Sequence, residues 1–352
     1  MRTPIEQTKM RAIDLRLPAT LPGLALCITI TAVAWVLANP LQVSHIGLGW
    51  MPLALVLAML VSNSGFYKPA QFAPGVALSR GNILRWGIAL FAIKLELGDI
   101  MQAGVAGIAV AGVMVFSTIA LARFLGKRLG LPDELSLLIG TGSGICGAAA
   151  VAAADGVLRA ESKNCATGVA VAVLFGTLGM FVMPLITQAL AMQAIDAGLW
   201  IGLSVHELGH VIGASEMVGP AATNPALLEK MLRVAFLAPA LMWLGKLRPT
   251  PRQGTAAKSS VLSQTPLFMW GFVLVAALKL MHVLPTPVVH VTSELCELLL
   301  AIGLCALGLN TRFSELRTVS VRAWGLAILL WGHLLLTGLL MVQVIKFGAA
   351  LH

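Results

Sequence analysis

The chain has 352 residues, of which 58% are hydrophobic and 11% charged, with a formal net charge of +9 and a mean hydropathy of +0.90. A soluble domain of this length cannot hide so much apolar surface, so the composition argues against a soluble enzyme and for a polytopic membrane protein. The positive charge is spread over short connections between apolar runs, a pattern of membrane orientation that argues against a nucleic-acid partner.

In chain order, residues 1–17 form a polar arm with Arg2, Lys9, Arg11 and Arg16 against Glu6 and Asp14. Residues 19–38 are apolar for too long, and lack a small-residue cleavage site, to be a removable signal peptide, so they read as a retained first span with the N-terminus cytoplasmic. Further segments are predicted at 47–62, 82–97, 105–125, 135–154, 168–190, 199–214, 228–244, 266–281, 295–309 and 323–345, eleven in all. Apolar runs of this kind suit a hydrocarbon core roughly 30 Å thick. The expected class is an all-α polytopic protein, with residues 18–352 as a single transmembrane domain and a basic cytoplasmic loop at about 246–264.

Loop charge sets the orientation, because short cytoplasmic loops collect Lys and Arg. Lys68 with Arg80, Arg123 with Lys127 and Arg128, Lys246 with Arg248, and Arg312 with Arg322 all fall on the N-terminal side. The connections around Gln42, Asp99 and Pro285 carry no basic residue. If every segment crosses, however, Arg159 and Lys163 lie outside while the base-free 192–198 lies inside. That inconsistency disappears if the fifth and seventh segments are re-entrant, entering and leaving on one face.

The fifth segment contains Ile139 to Ala154, I-G-T-G-S-G-I-C-G-A-A-A-V-A-A-A. Four glycines (Gly140, Gly142, Gly144, Gly147), each costing about 1 kcal/mol in a helix interior, predict a break. At membrane depth a broken backbone is tolerated only when buried in protein or lining a wet cavity. A helix that restarts there presents free N–H groups and the positive end of its dipole, which together hold an anion. Ser143, Gly144, Cys146 and Gly147 are therefore candidate binding residues; the competing reading is that the glycines only allow close helix packing. The run from Gly142 aligns without gaps with G-L-S-V-H-E-L-G-H-V-I-G-A from Gly202, which hints that segments five and seven are related. A second match lays the run from Gly87 over that from Gly303, Lys94 against Asn310, in the opposed sense of an inverted repeat.

Polar residues inside lipid are expensive and each is a candidate. Lys94 could face an anion or snorkel to an interface with Glu96; Asn310 and Thr311 could bind or simply cap a helix. His206, Glu207 and His210 spell H-E-L-G-H, which on one helix would place two imidazoles for Zn²⁺ with Glu as general base. The spelling resembles the site-2 intramembrane proteases, whose third ligand is a downstream Asp, but no Asp follows Asp196. The five cysteines (Cys27, Cys146, Cys165, Cys296, Cys305) have no C-x-x-C spacing, so neither a disulfide frame nor a zinc knuckle is indicated, and no cofactor is expected.

Several runs in order, G-I-A-L-F-A-I-K-L, G-S-G-I-C-G-A-A-A-V-A-A, S-V-H-E, K-M-L-R-V-A-F-L-A-P and A-L-G-L-N-T, resemble the YeiH-like inner-membrane proteins, a family that takes its name from sulfate export. The chain departs from the family pattern at Gly144, where Ser often stands, and at Gly209-His210 after V-H-E. The resemblance implies a bacterial inner-membrane transporter. The expectation is an alternating-access carrier of a small sulfate-like anion. Backbone N–H groups near 143–147 would hold the anion, Lys94 or His206 would supply positive charge, and Glu207 would orient His206 or carry a coupling proton. The expected partners are the anion, membrane lipid and a second copy in a homodimer; an anion channel is the further class considered.

Overall fold

The computed structural model describes residues 17–38, 50–65, 67–95, 97–247, 267–312 and 319–349, all helical apart from short connections. The polar arm before residue 17, the basic stretch 248–266, Glu96, Glu315, Arg317 and the side chain of Asp99 lie outside the described residues. The chain is an all-α multi-pass membrane protein. Among the described residues six helical stretches are long and apolar enough to cross a bilayer: Ala19–Ala38, Pro69–Lys94, Gly104–Arg128, Ser162–Ala189, Thr286–Asn310 and Val321–Lys346. The six do not include the fifth and seventh predicted segments, each split into two short half-helices, nor the shorter apolar helices Trp50–Asn63 and Leu267–Leu280, so the expected number of eleven is not confirmed.

Helices α1 (Leu17–Ala38) and α2 (Trp50–Asn63) are followed by α3 (Pro69–Leu78) and α4 (Leu84–Phe91). Alpha-helices α3 and α4 are joined through a π turn at Ser79–Ile83. There the Leu84 N–H reaches back to Ser79 O, while Ser79 Oγ donates to Gly75 O at 3.0 Å. Arg80 lies in that turn, inside a continuous helical stretch. The sequence pattern had put it in a loop. Helix α5 (Leu97–Arg128) returns with a kink at Gly104.

Segment five is two half-helices, α6 (Asp133–Gly144) and α7 (Ala148–Leu158). A Cβ on Gly142 would meet Val151 at 2.7 Å, and one on Gly168 would touch both Val151 and Leu138. Residues 138 and 151 lie far apart if the half-helices continue in line, since each residue rises 1.5 Å. The chain therefore folds back at 145–147, and segment five is a hairpin. Helix α8 (Ser162–Ala189) then crosses.

Segment seven repeats the device with α9 (Ala194–Ser204) and α10 (Leu208–Val218), and α11 (Pro220–Ala235) follows after Gly219. A Cβ on Gly198 would lie 2.2 Å from Ala222 O, and one on Gly202 2.4 Å from Ala226 O, so α11 starts beside the start of α9 and runs parallel to it. That is possible only if α10 has come back. Helix α12 (Leu237–Lys246) extends α11, and Gly245 lies beside Val157 near the end of α7. Arg159 thus shares a face with Lys246, as the re-entrant reading expects.

The chain ends in α13 (Leu267–Leu280), α14 (Thr286–Asn310) and α15 (Val321–Ala349). Leu84 packs on Gly303 and Gly87 on Leu300, so α4 and α14 run antiparallel, in the opposed sense read from the second sequence match. At the other face Lys346 donates to Asp196 at 2.8 Å.

Candidate functional site

The two hairpin tips meet in the interior. The alignment at an offset of sixty residues lays one break on the other: Ile145 on Val205, Cys146 on His206 and Gly147 on Glu207, with helix ending at Gly144 or Ser204 and restarting at Ala148 or Leu208. The break is narrower than the glycine count suggests, because α6 runs through Gly140, Gly142 and Gly144. At Gly140 an added Cβ would sit 2.5 Å from Ala122, so this glycine serves packing against α5. Only Gly147 takes a backbone that other residues avoid, φ 72° and ψ −136°.

Each break exposes a helix C-terminus and a helix N-terminus, and the fold sorts them. The carbonyl ends of α6 and α9 converge on Arg233 of α11, which is 0% exposed. Its Nε donates to Gly144 O (2.9 Å), Nη2 to Ser143 O (2.7 Å) and Gly144 O (2.6 Å), and Nη1 to Gly202 O (3.1 Å) and Leu203 O (2.5 Å). Lys230, one turn earlier, donates to Val205 O at 2.7 Å. The two side chains thus supply donors to carbonyls that water cannot reach, at the negative dipole ends of α6 and α9. Glu229 beside them is also 0% exposed, and neither carboxylate oxygen has a hydrogen-bond partner.

The amino ends of α7 and α10 turn the other way, onto a cavity of about 770 Å³ lined among others by Arg80, Arg85, Cys146, Glu207, Asn310 and Arg312. Glu207 is part of its wall. Its Oε1 accepts the Ala148 N–H at 3.0 Å, closing the first turn of α7, and stands 3.8 Å from Arg80 Nη2. Its Oε2 is 3.4 Å from His210 Nδ1, close enough for an ion pair but without hydrogen-bond alignment. His210 Nε2 lies 3.1 Å from Thr177 Oγ1 on α8.

The sequence candidates separate accordingly. Cys146, Glu207 and Asn310 line the cavity. Ser143 and Gly144 were expected to offer N–H groups to an anion; the structure instead turns their carbonyls to Arg233, and Ser143 Oγ is buried without a partner. Gly147 lies under Glu207, whose Cγ would be 2.2 Å from an added Cβ. Thr311 is a helix end: its hydroxyl donates to Leu307 O at 2.9 Å and its carbonyl accepts from Ser62 and Asn63.

Lys94 is not brought to the cavity. Its ammonium donates to Glu297, midway along α14, and lies 5.6 Å from the Phe91 ring centre. His206 points away as well, fully buried, its ring 5.9 Å from that of Phe175 and both nitrogens without a partner. The H-E-L-G-H spelling does not sit on one helix: His206 and Glu207 belong to the break and His210 to α10. Among the described residues no three His, Cys, Asp or Glu side chains converge as a ligand set.

Arg80, Lys230 and Arg233 were not picked out as site residues. The loop-charge pattern treats Arg80 as an orientation marker, and the predicted eighth segment starts at 228, so the charges at 229–233 fall at its very beginning. Helix α11 begins eight residues earlier, at Pro220, which carries them into the interior.

The sequence profile of "Conserved hypothetical protein 698" matches residues 22–327. The chain is 38% identical over 330 residues to the UPF0324 membrane protein PA5383 of Pseudomonas aeruginosa, covering 90% of this chain and 92% of that protein. It is 36% identical over 323 residues to the UPF0324 inner membrane protein YeiH of Salmonella typhi and 35% over 328 residues to YeiH of Escherichia coli K12, with the same coverage. A profile that spans most of the chain, and relatives aligned along nine-tenths of it, place this protein in the YeiH-like UPF0324 membrane protein family.

Proposed function

We propose that the protein is a secondary carrier that moves a small, sulfate-like anion across the bacterial inner membrane by alternating access, coupled to protons through Glu207. One observation carries this reading. The amino ends of two half-helices, from hairpins that enter from opposite faces, open together with Arg80 and Arg85 onto one cavity. Backbone N–H groups at helix amino ends, positive dipole ends and guanidinium groups suit an oxyanion. Discontinuous helices whose amino ends point at an anionic group, near the midplane between related elements, are the arrangement secondary carriers use.

The cavity reaches toward Asn310 and Arg312, at the face of the basic connections. With that face taken as cytoplasmic, by the positive-inside rule, the carrier would be open inward with its N-terminus inside. Movement of the hairpin pair with α8 and α11 past a scaffold containing α1, α2 and α14 would expose the same anion site outward.

The test is flux of labelled sulfate and sulfite into liposomes containing the purified full-length protein, with and without a pH gradient. Saturable exchange that responds to the gradient is the expected result. Flux that does not saturate favours a channel, and no flux of either anion contradicts the proposed substrate class.

A further inference from the structure

Glu207 has two competing neighbours on its two oxygens, Arg80 at 3.8 Å from Oε1 and His210 at 3.4 Å from Oε2. The Arg80 contact is longer than a hydrogen bond, and its side chain is 27% exposed in the cavity. His210 is 0% exposed, and its Nδ1 has no hydrogen-bond partner although it faces a carboxylate oxygen. On its other side, Thr177 has a single hydroxyl proton to share between Val173 O (2.9 Å) and His210 Nε2 (3.1 Å). With the Thr177 proton on Val173 O, neutral His210 carries its own proton on Nε2, and Nδ1 and Oε2 are two bare acceptors facing each other unless a further proton lies between them. With the Thr177 proton on Nε2, the ring's own Nδ1–H lies there and the pair keeps one negative charge.

The charge balance does not depend on which atom holds that proton. With it, the Glu207–His210 pair is neutral as a whole, as acid and imidazole or as carboxylate and imidazolium. Without it, the pair carries one negative charge beside Arg80. The other ionisable groups around it are Arg85 and the Cys146 thiol at the cavity wall, Lys230 held on Val205 O, and His206 on the tip itself. Lys230 and Arg233 are tied to backbone carbonyls, and of the cavity-wall arginines Arg80 is the one at ion-pair distance from Glu207, so it is the cation placed to change partner.

We propose that Glu207 and His210 share one exchangeable proton, and that this proton decides whether Arg80 pairs with Glu207 or with the transported anion. Protonation of the pair releases Arg80 for the anion. Loss of the proton returns Arg80 to Glu207 and expels the anion, so anion and proton are bound and released together. This rests on the carrier reading above and adds His210 and Arg80 to it. A carboxylate that repels an anion when ionised thereby times its release.

Two measurements on the purified full-length protein test the proposal. The first needs no substrate: infrared difference spectra across a pH titration should contain either a protonated-carboxyl stretch or a paired carboxylate and imidazolium band that vanishes in Glu207→Gln and shifts in position in His210→Gln. A spectrum unaltered by Glu207→Gln overturns the shared proton. The second is binding of labelled sulfate as a function of pH. Affinity should rise on acidification, approaching about tenfold per pH unit above the midpoint of the free protein's titration, one proton per anion, and the slope should fall to near zero in Glu207→Gln. An unchanged slope in that variant overturns the coupling. No sulfate binding at any pH, with the band present, instead overturns the anion reading under Proposed function and leaves the shared proton standing.

Discussion

Glu207 of one hairpin closes the amino end of the other: its Oε1 accepts the Ala148 N–H at 3.0 Å. The two tips are thereby joined on the cavity side by a side chain, as they are joined on the opposite side by Arg233. Removing a side-chain acceptor from a helix amino end costs about 1 kcal/mol. Glu207→Ala is expected to lower the thermal midpoint of the detergent-solubilised protein, and Glu207→Gln, which keeps an acceptor oxygen, to lower it less. Equal losses would show that this hydrogen bond does not hold the tips.

Gly147 faces both a steric and a conformational demand. An added Cβ would lie 2.2 Å from Glu207 Cγ, and φ 72° with ψ −136° is a conformation costing a non-glycine residue about 1–3 kcal/mol. Gly147→Ala should destabilise strongly. Gly156→Ala, in the same half-helix with open space around the added carbon, should be neutral or stabilising. Thermal unfolding of the two variants side by side gives the comparison.

Arg233 supplies donors to four carbonyls that nothing else satisfies in a dry interior. Each buried acceptor left bare costs about 1–3 kcal/mol, and the sum approaches the whole stability of about 5–15 kcal/mol typical of folded proteins. Arg233→Ala is expected to yield no monodisperse peak in gel filtration. A well-behaved Arg233→Ala protein would mean that the carbonyls find other donors.

Cys146 lines the cavity whereas Cys27 and Cys305 are 0% exposed. In a Cys165→Ser background, a membrane-impermeant thiol reagent should label Cys146 from the face that carries the basic connections, and from that face first. Labelling of inside-out vesicles but not of right-side-out cells is expected, and the reverse would invert the orientation. Excess sulfate should slow the reaction if it occupies the cavity.

The sequence carried the hairpins well because their signals are local: glycine at a break, and basic residues whose placement made sense only if segments five and seven return to their own face. It carried the site less well, for two physical reasons. A charge near the end of an apolar run looks the same whether it meets water or a ring of carbonyls. Pro220-Ala-Ala-Thr-Asn-Pro225 is too weakly apolar to mark the start of a helix, so the predicted segment begins only at 228 and puts Glu229, Lys230 and Arg233 at its start instead of in the interior. Arg80 was misplaced in the same way, since counting loop charges cannot distinguish a connection from a π turn inside a helix. Lys94 drew attention as an intramembrane cation, but its partner Glu297 lies 203 residues away in the chain and only the fold pairs them.

Arg80 and Lys94 together decide whether the anion site has been placed correctly, because one faces the cavity and the other is tied to Glu297 outside it. The direct measurement is saturable exchange of labelled sulfate in liposomes containing Arg80→Gln or Lys94→Gln, normalised to folded protein. Arg80→Gln is expected to lose most of the exchange, tenfold or more for a charge-assisted contact of about 1.5–3 kcal/mol, while Lys94→Gln retains it. Exchange that survives in Arg80→Gln and disappears in Lys94→Gln would contradict the placement of the anion between the two half-helix amino ends.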